Sequence, residues 1–186
     1  MKKLLIVLFV TCFCRTIVFA ENIRDLQIEG MSVGDSLLNF YTEAKILNFP
    51  KTTYDNGVFN VLFKKSNNGI YSELGFHVKI NDKKYIIHSI KGMKKFKNKF
   101  QQCMKFKDEV IKDISIVLPS ANFNHFVSDY QNKNMKNSKA HVSSYYFPSK
   151  KGIVRVWCTQ YDKNTSFTDV GAVSIGSEDY VKFFSK

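Results

Sequence analysis

A chain of 186 residues, 44% hydrophobic and 15% aromatic, carries enough apolar side chain for one packed core, which excludes an intrinsically disordered protein. Its formal charge of +12 points toward nucleic acid, but only Arg15, Arg24 and Arg155 are arginine. The excess is lysine, which travels with many Asn, Ile, Phe and Tyr as AT-rich codons dictate, and bidentate phosphate recognition favours arginine, so no specific nucleic-acid partner is expected.

Lys2 and Lys3 precede an apolar run over residues 4–14, Arg15 interrupts it, and Val18 and Ala20 occupy small-residue cleavage positions. That pattern predicts a signal peptide over 1–20, cut between Ala20 and Glu21. The run is too short for a membrane-crossing helix, which needs roughly 20 apolar residues. Thr11 before Cys12 and Phe13 before Cys14 do not suit a lipidation site. The expectation is a periplasmic or secreted chain of one α+β domain over 21–186, without a transmembrane segment. Losing Lys2, Lys3 and Arg15 lowers the formal charge from +12 to +9. Cys103 and Cys158 are then the two remaining cysteines, and in an oxidising compartment they form one disulfide.

Leu37, Leu38, Tyr41, Ala44 and Leu47 recur at helical spacing after Ser32 and Asp35, which have the form of a capping box. A helix is predicted over 32–47, ended by Asn48 and Pro50. Residues 58–64 read as a strand. Leu74, Phe76, Val78 and Ile80 then alternate with polar residues, and Tyr85, Ile87 and Ser89 alternate after a turn. A hairpin centred on Asp82 and Lys83 sets Ile80 opposite Tyr85 and Val78 opposite Ile87. From Lys94 the period changes: Phe96, Phe100, Cys103, Phe106, Val110, Ile114 and Val117 mark an amphipathic helix stopped by Pro119. Residues 122–139 show no period and are predicted as a long loop. Strands follow over about 140–147, 153–161 and 167–175, with a short closing helix over 177–184. The order is helix, three strands, helix, three strands, short helix, which defines an α+β fold with antiparallel sheet.

Gly34-Asp35-Ser36-Leu37 resembles the nucleophile block of GDSL esterases and lipases, a family whose serine attacks ester carbonyls. The family's block ends a buried strand and is followed by Gly-x-Asn-Asp and Asp-x-x-His blocks. Here Lys79 stands where the glycine before Asn81-Asp82 should be, and Asn122 where the aspartate before His125 should be. A serine nucleophile needs a base and an oriented partner, so a helix N-terminus explains Ser36 better. The hairpin sets His77 opposite His88, which could share a metal, but zinc needs further ligands and Lys79 and Lys84 repel cations. In the basic run from Lys91 to Phe100 the phenylalanines fall on the helix's apolar stripe and the lysines on its solvated face. Asn164-Thr165-Ser166 is a glycosylation sequon, meaningful only in a eukaryotic host.

Gly30-Met31-Ser32 with the acidic residue and leucines after it resembles the opening helix of the SmpA/OmlA (BamE-like) envelope proteins. That resemblance implies a small α+β periplasmic protein that supports outer-membrane assembly, although Leu47-Asn48-Phe49-Pro50 replaces the family's Leu-Gly-x-Pro. The blocks from Ile28 to Ser36 and from Lys84 to Gly92, followed by a helical cysteine, are also similar to an uncharacterised group of exported proteins from AT-rich marine bacteria. That likeness implies no activity.

The expected function is a non-enzymatic envelope module that binds another protein or a small ligand, with no catalytic residue, metal or cofactor. The alternatives are a GDSL-type serine hydrolase acting through Ser36 and a metal-binding module at His77 and His88.

Overall fold

The computed structural model describes residues 22–54, 57–66, 69–130, 135–148 and 151–184. The positions of the predicted signal peptide and its cleavage site, including Ala20 and Glu21, lie outside them. Eight strands form one antiparallel sheet: β1 (Lys51–Thr53), β2 (Phe59–Lys65), β3 (Glu73–Lys79), β4 (Ser89–Lys95), β5 (Asn122–Asp129), β6 (Lys139–Tyr146), β7 (Gly152–Gln160) and β8 (Val170–Ser177). Their spatial order is β1-β2-β3-β4-β8-β7-β6-β5. Two four-stranded meanders are thus sewn together along their last strands, with Ile90 opposite Ile175. The helices are α1 (Glu43–Leu47), α2 (Phe100–Val117) and α3 (Glu178–Phe184), giving the α+β class expected from the sequence.

One sheet face is apolar. Leu74, Phe76, Ile90, Val154, Val156 and Ile175 point to it and are buried. α2 lies across β7 and β8 on this face, and Tyr145 fixes its far end through its hydroxyl, 2.8 Å from Ser115 Oγ and 3.2 Å from the Ile111 carbonyl. Cys103 and Cys158 form the expected disulfide at a Cα separation of 5.9 Å. Opposite Cys158 stands Gly171. A Cβ there would come within 2.8 Å of Phe106 and 2.9 Å of Phe96, so glycine lets both rings close over the bridge. The N-terminal segment and α1 cover the other half of this face, where Tyr41 and Phe49 pack on Phe76. α3 crosses to the opposite face, where its Tyr180 ring occupies the space a Cβ on Gly176 would need.

Several local expectations change. The helix predicted over 32–47 is two separate pieces, a 3-10 turn at Leu37–Asn39 and α1. Gly34 has φ of 92°, and the backbone of this segment pairs with the 85–87 stretch instead: Gly34 N–H donates to the Ile87 carbonyl at 2.8 Å and Leu37 N–H to that of Tyr85 at 3.1 Å. Long-range pairing outcompetes a local helix whose early glycine already favours another conformation. Because residues 85–87 are taken by this segment, Tyr85 and Ile87 do not face Ile80 and Val78. The β3–β4 ladder instead pairs His77 with Ser89, one residue out of the predicted register. The second helix starts at Phe100 rather than Lys94, since residues 91–95 are needed to pair β4 with β8. Residues 122–129, predicted as loop, form edge strand β5, whose side chains are all exposed. No buried face disciplines their composition, so no alternation marks them. With β1, each meander has one strand more than expected. No helix among the described residues is long and apolar enough to cross a membrane.

Candidate functional site

The sheet's second face differs from the first. Small side chains of β8, Ala172, Ser174 and Gly176, form a trough floor between longer residues of β4 and β7. The paired registers place Ser144, Arg155, Ser174, Lys91 and Gly75 in one row across five neighbouring strands. Above this row lies a cavity of about 380 Å³. Tyr180 of α3, Tyr54 and His77 wall one side, and Trp157, Phe126 and Tyr130 the other.

α3 is held there by an aromatic cluster. Phe59 meets Phe183 edge-on at 5.0 Å, and Tyr180 meets His77 at 4.8 Å. Lys79 Nζ adds an exposed ion pair to Asp179 of α3 at 2.7 Å, worth little in water beyond orientation.

His77 is buried, and its Nε2 lies 3.1 Å from the Tyr54 hydroxyl. Burial, reinforced by the charge of Lys91, pushes its pKa down to about 3, so the ring is neutral at ordinary pH. Its Nδ1 is buried without a hydrogen-bond partner, as are Ser144 Oγ and Arg155 Nε. Ser89 Oγ is buried beside the Tyr180 hydroxyl but forms no well-shaped hydrogen bond. Burial pushes the Tyr180 phenol up to about 12, against the opposing pull of Arg155 and Ser89. Burial also lowers the pKa of half-buried Lys91, with Glu73 opposing. Gly75 makes room for the Lys91 stem: a Cβ there would sit 3.1 Å from Lys91 Cε.

The residues singled out from the sequence are arranged otherwise. Ser36 Oγ donates to the Lys84 carbonyl and accepts from the Leu38 amide at 3.1 Å, as a cap does. Of the predicted capping box, the Asp35 carboxylate accepts from Ser32 N–H at 2.8 Å, while the Ser32 hydroxyl donates to the Leu26 carbonyl. His77 and His88 do not face each other across a ladder. His88 lies at the margin of the sheet, its Nδ1 3.7 Å from Asp179, and the Phe59 ring packs against both imidazoles. No cluster of three or more metal-ligating side chains occurs among the described residues. Lys91, set among the helix-face residues by the sequence pattern, is on β4 in the cavity.

Sequence reasoning missed Arg155, Lys91 and Trp157 as a group, because only the non-local β4–β8 and β7–β8 pairings bring them together. Two signals were present: an arginine in a chain that nearly lacks them, and small residues at alternate positions 172, 174 and 176. No protein-family profile, curated protein sequence or solved structure matches this chain.

Proposed function

We propose that this protein is an exported, non-enzymatic binding module that holds a small ligand in the open-face cavity. The observation that carries the reading is the cavity itself: aromatic walls with a few converging polar groups, pre-formed between a rigid sheet and α3, are the usual makeup of a small-molecule site. The helix-face disulfide and the N-terminal charge and apolar pattern support export into an oxidising compartment. N-terminal sequencing of the exported protein should read from Glu21, and an intact Met1 would count against export.

Trp157 is the chain's single tryptophan and lines the cavity, so its fluorescence reports occupancy. Small molecules screened by that signal should yield binders that Ser174→Leu, which fills the floor, loses while remaining folded. Binding that survives in the filled variant, or no binder in a broad screen, would overturn the reading.

A further inference from the structure

The cavity's lining carries two cations and one acid. Lys91 and Arg155 both line it, and neither forms an ion pair with any acid among the described residues, although the Lys91 ammonium rests over the Phe63 ring at 5.6 Å and feels the charge of Glu73. Asp129, the one acid in the lining, stands on the exposed β5 edge and pairs with neither. Arg155 Nε is fully buried and unpartnered. Keeping a cation such as Arg155 partly out of water without a paired acid destabilises a fold, and replacement by an apolar residue of like volume usually relieves it.

The placement of the two cations is as telling as their lack of a paired acid. Lys91 on β4 and Arg155 on β7 are both directly opposite Ser174 on β8, one from each side. Their backbones are therefore two strand spacings apart, about 10 Å, a span that two long side chains can close onto one group once Lys91 leaves its rest over Phe63. The short side chain of Ser174 leaves the space between them open; at rest the Lys91 stem lies over Gly75 on β3, toward Phe63, and it turns back over Ser174 to meet an anion. Ser89 and His77, both more than nine-tenths buried, line the same cavity with polar atoms that lack a well-formed partner. The opposite wall, Trp157 with Phe126 and Val142, is apolar.

We propose that the cavity binds an organic anion, its carboxylate, sulfonate or phosphate head group seated between Lys91 and Arg155 over Ser174 and its apolar body lying against Trp157 and Phe126. The proposal rests on the binding reading above and adds the ligand's chemical class. Charge-assisted hydrogen bonds from a guanidinium and an ammonium in a partly dry site supply the selectivity, and the aromatic wall is indifferent to charge.

A matched pair of probes separates the two levels. Anilinonaphthalene sulfonate and phenylnaphthylamine share a ring system and differ in the sulfonate, and energy transfer from Trp157 reports binding near the cavity. The expected result is that the sulfonate binds about tenfold or more tightly than the neutral probe. Arg155→Met and Lys91→Met should each remove most of that preference and leave the neutral probe's affinity in place, with the melting temperature unchanged or raised. Lys84→Met, outside the cavity, should change nothing. Equal affinities in the native protein, or a preference that survives both cavity variants, would overturn the anion class and leave the binding module standing. Failure of both variants to fold would overturn it too, by showing the cations to be structural. Binding of neither probe would overturn the binding reading along with it.

Discussion

On the helix-covered side of β7, Val154, Val156 and Cys158 are sealed under α2; one residue along, Arg155 and Trp157 face a cavity. The same strand thus serves two regions with opposite rules. The covered face is apolar, closely packed and covalently tied. The open face carries unpartnered polar atoms, a neutral buried histidine and two cations without an ion-paired acid. Such groups oppose folding, and the covered face supplies the stability that tolerates them. The difference teaches where to look for each property: stability should respond to the first face, recognition to the second.

The largest expected effect breaks the covered face. Replacing Cys103 and Cys158 together with alanine opens a loop with a sequence separation of 55 and should cost about 4 kcal/mol, the chain-entropy figure for such a loop, seen as a lower urea midpoint. Leu74→Ala, at a site with no solvent exposure, should cost about 3 kcal/mol in the same measurement and leave binding to the cavity intact.

The next effect sharpens the open face. The folded pKa of His77, near 3, lies below its ordinary 6.5, so the unfolded chain takes up the proton first. Its contribution is complete above pH 6.5 and is lost as pH falls toward 3. Stability should drop by about 2 kcal/mol between about pH 8 and pH 5, before the carboxylates titrate. His88 and His141 are shifted in the same direction and add to the slope. His77→Gln should flatten the profile without abolishing it; an unchanged slope would place the titration elsewhere. The smallest effect is Ser144→Ala. Its buried hydroxyl has no partner, so the change should be neutral or stabilising by about 0.5 kcal/mol, and a loss above about 1 kcal/mol would reveal a bond it makes in solution.

The contrast between faces also governs how much was legible in the sequence. The phase of α2 could be read because one stripe is buried and the rest is wet, and Cys103 falls on that stripe. The face of Cys158 followed from its alternation with Arg155 and Thr159, so the disulfide was predictable. In β3, residues 74–78 are buried on both faces, so alternation with His77 suggested a solvent-facing histidine where α3 in fact covers it. β5 is exposed throughout and left no pattern at all. The cavity was illegible for a further reason: its members lie on strands that meet only through pairings distant in sequence, and no local period encodes those.

The sheet's central seam has a kinetic consequence. Each meander is made of neighbouring strands joined by short connections, so loop closure within it is cheap in entropy. β4 has no such local partner on its second edge. It waits for β8, which follows α2, β5, β6 and β7 in the chain. A chain threaded from its N-terminus therefore presents the apolar side of β4, Ile90 included, with one flank unpaired until its last strand emerges. High contact order concentrated in a single seam makes docking of the two halves the slow step of folding, and the interval before it is when this chain is most exposed to aggregation.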